Sequence, residues 1–218
     1  KNNKKKYKNN NMKTLTKELQ SAITPALALE LLKDGNKRFV NNLKINRNLL
    51  QQANETSDGQ HPFAVILSCI DSRTSAELIF DQGLGDVFSV RIAGNIVNED
   101  ILGSMEFGCK VAGAKIIVVL GHTKCGAVKG ACDNVALGNL TGLISKIKPA
   151  VEQEAVTAEN RNSSNGVFVE NVAELNVSLS VKNILLKSPI IADMVKNGDI
   201  GIVGGIHDIT TGEVKFFE

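Results

Sequence analysis

Hydrophobic residues along this chain form short continuous runs, separated by longer stretches in which apolar and polar residues alternate at helical spacing. Valine- and isoleucine-rich runs predict four strands, at residues 63–68, 87–91, 115–120 and 200–206. A fifth strand is predicted at residues 214–217, after a turn over residues 208–213. Because the first and third of these runs are almost entirely apolar, we expect those strands to be buried.

The stretches between the runs predict helices. Thr24 and Pro25 open the first helix, because threonine is a good cap and proline fits the first turn. Thr74 and Glu77 have the spacing of a capping box, which predicts a short helix after them. The polar stretch at residues 41–59 is predicted to be irregular. Further helices are predicted over residues 100–111, from 127, over 140–155, over 167–186, and between Ser188 and the turn at 196–199.

The alternation of strands and helices predicts the fold class. It indicates an α/β fold, with a mainly parallel central sheet that is flanked by helices and connected by right-handed crossovers. The last two strands are joined by a short loop, so we expect them to pair antiparallel at one edge of the sheet.

Composition predicts one domain after a short N-terminal segment. The 218 residues are 43% hydrophobic, and no change in composition divides them. We therefore expect a single domain over residues 24–218 and a disordered or extended segment over residues 1–23. Lysine and asparagine dominate the first eleven residues, and Met12 resembles a natural start. Residues 1–11 are accordingly candidates for sequence that is not native.

Charge and hydropathy argue against nucleic-acid and membrane partners. A net charge of +2 gives no electrostatic footprint for nucleic acid, and we expect the lysine-rich start to be a solvated tail. No apolar stretch reaches the ~18 residues that span a bilayer. Four cysteines in a chain of this length do not suggest a disulfide framework, which fits the cytoplasm. A periplasmic location stays open if a signal peptide was removed before residue 1.

Side chains with metal-binding chemistry stand at the ends of two predicted strands. Cys69 follows the first strand, and His122 and Cys125 follow the third. The carboxyl ends of parallel strands meet at one edge, where open α/β sheets place their sites. Two thiolates and an imidazole can bind Zn²⁺, and three protein ligands with an open fourth position are typical of catalytic zinc. Asp71 and Arg73 follow the first cysteine closely.

Each of these residues has a plainer interpretation when it is taken alone. A cysteine is often a small buried residue, a histidine is often part of a core, and an acid near an arginine is often a surface ion pair. The agreement of two separate segments favours the metal site.

The two segments resemble the β-class carbonic anhydrases. The pattern of that family is Cys-x-Asp-Ser-Arg in a first segment and Gly-His-x-x-Cys-Gly in a second, and residues 69–73 and 121–126 match it without interruption. The resemblance extends from about Ala26 to the C-terminus. It departs at Ile70, where the family usually has serine or alanine, at Thr74, where an aliphatic residue is usual, and after Arg91, where asparagine is common.

The resemblance implies a zinc-dependent carbonate dehydratase, a lyase that interconverts CO2 and bicarbonate through zinc-bound hydroxide, with one Zn²⁺ per chain. Asp71 would accept a hydrogen bond from the zinc-bound oxygen, and Arg73 would hold the Asp71 carboxylate by two parallel hydrogen bonds. In some relatives the aspartate instead binds zinc and closes the site, often beside a bicarbonate pocket built on tryptophan. This chain has no tryptophan, which favours the open, plant-like subtype.

The resemblance also implies a substrate pocket and a partner subunit. Gln60 stands where plant-like enzymes have a substrate-binding glutamine, and Phe107 stands where a tyrosine is common. The family's glutamine and aromatic residues approach the zinc from a neighbouring subunit, which implies a homodimer or a dimer of dimers. The implied substrate-binding residues are Gln60, Phe88, Ala93, Phe107 and Gly126.

Two other functions stay open at this point. A related zinc hydrolase that acts on CS2 or COS would use the same ligands, and a catalytically silent, zinc-stabilised scaffold would need neither Asp71 nor Arg73. Gln60 and the lack of an obvious occluding extension favour CO2. His61 and His207 could shuttle protons, because imidazole titrates near neutral pH, but we interpret both as loop residues.

Overall fold

A computed structural model describes residues 14–217 of the chain. Its sheet has the strand order β2-β1-β3-β4-β5, in which β1 to β4 are parallel and β5 is antiparallel to β4. The mainly parallel sheet and its antiparallel edge pair are therefore confirmed. The strands are β1 (Ala64–Ser68), β2 (Val87–Arg91), β3 (Ile116–His122), β4 (Gly201–His207) and β5 (Val214–Phe216).

Helices cover both faces of this sheet. None of those within residues 14–217 combines the length and the apolar character that a membrane crossing needs. Helix α5 continues into a π-helical turn at Phe107–Val111, and a short 3₁₀ turn occupies Ala93–Asn95. The helices are α1 (Lys17–Ser21), α2 (Pro25–Val40), α3 (Leu49–Glu55), α4 (Ala76–Ile79), α5 (Glu99–Glu106), α6 (Gly126–Cys132), α7 (Gly138–Ile144), α8 (Lys148–Gln153), α9 (Gly166–Lys187) and α10 (Pro189–Lys196).

The sheet separates two hydrophobic clusters. Alternate residues of β1 face opposite sides, so that Val65 and Leu67 join one cluster while Ala64 and Ile66 join the other. The first cluster packs beneath the long helix α9, and it includes Cys69 and Cys125. All residues of β1 and β3 are buried, as their apolar runs predicted. The predicted metal site therefore lies at the α9 face of the sheet.

Helix α1 corrects part of the prediction for the N-terminal segment, which was expected to be disordered or extended as far as residue 23. Residues 17–21 are helical, and the buried Gln20 donates from Nε2 to the carbonyls of Pro62 at 2.7 Å and Ala112 at 2.8 Å. Ile23 is part of the core. These tertiary contacts hold a segment whose polar composition gave no periodic signal. Residues 1–13 lie outside the described residues, and the division into domains stays a prediction.

Two predictions for the stretches between the strands are wrong: residues 41–59 were expected to be irregular, and residues 140–155 were expected to form one helix. The stretch at 41–59 contains α3, which Asn48 caps and whose buried Gln52 accepts the Leu84 N–H at 3.2 Å. The helix predicted over 140–155 is divided into α7 and α8. Pro149 lies in the first turn of α8, where its missing N–H is tolerated, and this position prevents one continuous helix.

The capping box predicted before α4 does not form. Thr74 is buried and donates from Oγ1 to the carbonyls of Cys69 at 3.3 Å and Asp71 at 3.0 Å. Ser75 takes the capping position instead, although its side chain accepts no cap hydrogen bond. Thr74 therefore stabilises the turn after β1 rather than the helix.

We expect Gly35→Ala to destabilise the fold. Gly35 lies inside α2, and a Cβ added there would stand 1.7 Å from the Phe80 carbonyl oxygen, which is backbone and cannot rotate away. Overpacking of this kind lowers the free energy of unfolding by about 1–3 kcal/mol or more. Gly103→Ala in α5 is the control, because nothing lies within 4 Å of its added Cβ. Gly103→Ala should raise the free energy of unfolding by about 0.5–1 kcal/mol. Urea denaturation measures both free energies of unfolding, and equal values for Gly35→Ala and Gly103→Ala would contradict this packing of Gly35 on Phe80.

Candidate metal centre

The three predicted ligands converge at the carboxyl edge of the sheet. Cys69 follows β1, His122 is the last residue of β3, and Cys125 precedes α6. Strands β1 and β3 pair in register, with Ser68 opposite Leu120. The candidate ligand atoms all lie within 4.8 Å of one another, and all three residues are buried. Because ligands of one tetrahedral zinc ion stand about 2.0–2.3 Å from it, a separation of this size suits a shared ion.

The His122 ring is oriented with one nitrogen toward the protein and the other toward the cysteines. Its Nδ1 lies 2.9 Å from the Thr123 carbonyl oxygen, so that Nδ1 carries the proton and donates it. The buried Nε2 has no hydrogen-bond partner among residues 14–217. A buried nitrogen without a partner is costly. A backbone carbonyl on one imidazole nitrogen and a free lone pair on the other is the usual arrangement of a metal-binding histidine.

Without a bound cation, the two cysteine thiols have very different pKa values. A hydrogen bond from Cys125 holds the pKa of Cys69 down at about 4. The same contact and burial raise the pKa of Cys125 well above its usual range. The Gly94 N–H also donates to Cys69 Sγ at 3.3 Å. One thiolate is therefore stable by itself, whereas the second would need a nearby cation. The pair fits a divalent metal.

A cavity of about 350 Å³ opens beside these residues. Cys69, Asp71, Ala93 and Gly126 border it, so two of the five predicted substrate-binding residues line the cavity. The remaining wall is made of apolar or small residues, namely Ile70, Ala127, Gly130, Val135, Leu140 and Ile144. A larger groove of about 790 Å³ lies between α2 and the β4–β5 edge, but none of the three candidate ligands borders it.

The other three predicted substrate-binding residues lie away from this cavity. Gln60 is exposed in the loop before β1. Phe88 on β2 packs edge to face on Phe107, with ring centroids 6.2 Å apart, and Phe107 is 55% exposed. Within one chain these three side chains therefore do not complete the pocket.

Asp71 and Arg73 form a bidentate pair. Arg73 donates from Nε to Oδ1 at 2.9 Å and from Nη2 to Oδ2 at 2.7 Å, and its backbone N–H donates to Oδ1 at 3.0 Å. The Arg73 side chain holds the pKa of Asp71 well below its usual range. Asp71 is therefore an ionised acceptor at the cavity wall, and its carboxylate is not part of the Cys-His-Cys cluster.

Arg91 supports the Cys69–Asp71 turn, a role that sequence reasoning missed. It lies at the end of β2 opposite Ser68, and it donates from Nε to the Cys69 carbonyl at 3.0 Å and from Nη2 to the Asp71 carbonyl at 2.7 Å. Thr74 donates to the same two carbonyls. The only available signal was the position of an arginine at a predicted strand end.

Helix α9 supports the turn between His122 and Cys125. Lys124 has a left-handed backbone, with φ of +57°, and its N–H donates to Glu170 Oε1 at 3.0 Å. The neighbouring Val177 packs so closely on Gly121 that a Cβ there would lie 2.6 Å from it. No site residue was predicted on α9, because its sequence pattern indicates only a helix.

His207 is not the loop residue that the sequence suggested. It is the last residue of β4, where it pairs with His122, and it is 2% exposed. Burial lowers the pKa of His207 to about 4, so its imidazole is neutral. His61 does lie in the loop before β1.

Comparisons with known proteins agree with this geometry. Residues 64–214, more than half of the chain, match the family described as carbonic anhydrase. Carbonic anhydrase 2 of Mycobacterium tuberculosis is 35% identical over 195 residues, covering 86% of this chain and 90% of the relative. The carbonic anhydrase of Mycolicibacterium smegmatis is 34% identical over 193 residues, covering 88% and 92%.

A solved structure extends the likeness to the fold. The β-carbonic anhydrase CafA of Aspergillus fumigatus superposes with a TM-score of 0.68 at 27% identity, covering 88% of this chain and 90% of that one. Because the family match, the mycobacterial relatives and the fold agree, this chain belongs to the β class of the carbonic anhydrase family and is a carbonate dehydratase.

Proposed function

We propose that this chain interconverts CO2 and bicarbonate at a zinc ion held by Cys69, His122 and Cys125, with one ion per chain. The observation that carries the proposal is the buried cluster of two thiols and an imidazole beside an apolar cavity. Relatives that are named carbonic anhydrases favour CO2 over CS2 or COS, and an ionised Asp71 on the cavity wall argues against a silent scaffold.

The ligand residues are arranged to receive the metal with little reorganisation. Thr123 fixes the His122 tautomer, and Gly94 donates to the Cys69 sulfur. Zinc bound there supplies Lewis acidity, which makes water acidic enough to provide the nucleophile near neutral pH. The negative charges of Cys69 and Cys125 offset the charge of the ion, so this donor set acidifies water less than three neutral histidines do.

Asp71 and Arg73 are proposed to orient the nucleophile. The Asp71 carboxylate stays deprotonated because Arg73 binds both of its oxygens, and its remaining lone pairs can accept a hydrogen bond. A hydrogen-bond acceptor fixed at this position favours a nucleophilic oxygen that still carries a proton, because that proton can be donated to Asp71. The same hydrogen bond orients a lone pair of the oxygen toward the substrate. The pairing of Asp71 with Arg73, rather than with the ligand cluster, supports the open, plant-like subtype.

The cavity is proposed to hold CO2. Its wall next to Cys69 and Asp71 is mostly apolar, with Ile70, Val135, Leu140 and Ile144 as the large side chains. CO2 is small and has no net dipole, so it needs little polar recognition. One amide donor would then suffice for the oxygen that gains charge, and Gln60 is the proposed donor.

We propose that Gln60, Phe88 and Phe107 serve the site of a second copy of the chain, in a homodimer or a dimer of dimers. Gln60 and Phe107 are exposed, and β2 is an edge strand. Val111, four residues after Phe107 in the same π-helical turn, is also exposed, so exposed apolar side chains lie near this edge. We also propose a cytoplasmic location, which the buried free thiols favour.

Cys125→Ser should remove zinc and hydration activity together, because two remaining protein ligands hold the ion poorly. Elemental analysis and a CO2-hydration assay on the same sample check this. Cys132→Ser is the matched control, since Cys132 is also buried at an end of α6 but lies outside the cluster. Full zinc occupancy in Cys125→Ser would show that Cys125 is not a ligand.

Asp71→Asn should keep zinc but lower the hydration rate by about 10²- to 10⁴-fold, the usual contribution of such groups. The amide has no charge, and it cannot accept from Arg73 on both of its heteroatoms. Stopped-flow assays measure the rate. Asp133→Asn, which changes an exposed carboxylate that accepts the Ser163 N–H, should leave it unchanged. A rate within a factor of about two of the parent would contradict the role assigned to Asp71.

Val111→Arg should dissociate the active oligomer and lower activity in parallel, because it places a charge in the exposed apolar surface beside Phe107. Sedimentation velocity and the hydration assay, run at one concentration, test this. Val156→Arg changes a valine that is also largely exposed, in the loop after α8, and serves as the control. A fully active monomer of the parent chain would rule out a shared site.

A further inference from the structure

A buried turn behind Cys69 has an unusual backbone conformation. Gly94 and Asn95, in the 3₁₀ turn at Ala93–Asn95, are both left-handed, with φ of +67° and +43°. The left-handed backbone favours glycine at position 94, and a Cβ there would also lie 2.6 Å from Ile147 Cδ1. Because Asn95 is not glycine, its left-handed backbone is strained and persists only where the surroundings hold it.

Two polar side chains of α9 hold the turn. Asn176 donates from Nδ2 to the Gly94 carbonyl at 2.9 Å, and Ser180 donates from Oγ to the Asn95 carbonyl at 3.3 Å. They are one helical turn apart, and both are buried. The other buried residues of α9 are apolar, so two polar side chains on this face are costly unless they are hydrogen-bonded. Their partners are the carbonyls of this one turn.

The held turn directs a donor at a candidate metal ligand. Gly94 is bound on both sides, because its carbonyl accepts from Asn176 while its N–H donates to Cys69 Sγ at 3.3 Å. A hydrogen bond to a metal-bound sulfur withdraws charge from it and fixes its orientation. If the turn relaxed, this N–H would leave the sulfur.

We propose that Asn176 and Ser180 are positioning residues of the metal centre, which set the charge donation and orientation of Cys69 through the Gly94 N–H. This inference rests on the proposed metal site. Two other polar residues of α9 have different partners: Asn171 donates to Glu154 at 3.0 Å, and Ser178 donates to the Glu174 carbonyl at 3.1 Å. Neither hydrogen bond involves the turn at Gly94 or a candidate ligand.

Cobalt(II) is the probe, because its sulfur-to-metal charge-transfer absorption reports directly on thiolate donation. Asn176→Ala should weaken the Kd for cobalt by about 10- to 100-fold and shift the charge-transfer band. Ser180→Ala should change both in the same direction by less. The matched controls Asn171→Ala and Ser178→Ala remove hydrogen bonds on the same helix and should leave the Kd and the band as in the parent. Circular dichroism of each protein checks folding.

The outcomes are separable. A folded Asn176→Ala variant with the parent's cobalt affinity and spectrum overturns the inference. Control variants that lose as much cobalt affinity as Asn176→Ala also overturn it, because the loss would then come from general destabilisation. If Asn176→Ala does not fold, Ser180→Ala decides by the same two measurements. If the parent chain binds no cobalt, the metal centre and this inference are overturned together. If the parent binds cobalt and Asn176→Ala binds it equally well, only the inference is overturned.

Discussion

The pairing of β1 with β3 is the constraint on which the site depends. Cys69 and His122 are 53 positions apart in the sequence, and they meet because Cys69 follows β1 and His122 ends β3, two parallel strands in which Ser68 and Leu120 are opposite each other. A slip by one residue would turn every side chain of β1 to the other face and would move Cys69 out of the cluster. Burial of both strands on both faces makes such a slip costly, so the same apolar packing that stabilises the sheet also fixes the ligands.

Helix α9 is the second element that the site depends on. It packs across β3 and β4, and its side chains reach three places around the cluster. Glu170 holds the turn before Cys125, Val177 packs on Gly121 before His122, and Asn176 binds the turn behind Cys69. A 22-residue helix is a rigid support, so this one element fixes the relative positions of the residues that surround all three candidate ligands.

The sequence predicted those features that leave a local pattern. Apolar runs predicted the strands to within a residue or two, and the resemblance identified Cys69, His122 and Cys125 as a group because their spacing matches a family motif. Asn176, Ser180 and Arg91 could not be found this way. Their roles depend on contacts across 20 to 85 positions of sequence, and a buried polar residue in a helix looks like any other until its partner is known. Helix α1 was missed for the same reason, since the contacts of Gln20 are tertiary.

Under the proposed function, one chain supplies all three candidate metal ligands but only part of the substrate pocket. Cys69, His122, Cys125 and their supports all come from one chain, so metal affinity should depend on folding alone. Gln60, Phe88 and Phe107 lie away from the cavity of their own chain, so under the proposed shared site substrate binding would depend on association as well. In the proposed arrangement a monomer would hold zinc without efficient turnover, and activity would then depend on protein concentration at constant metal content. The exposed Ile70 at the cavity wall is consistent with the proposed dimer, because an apolar side chain there would lose its contact with water if a second subunit covered it.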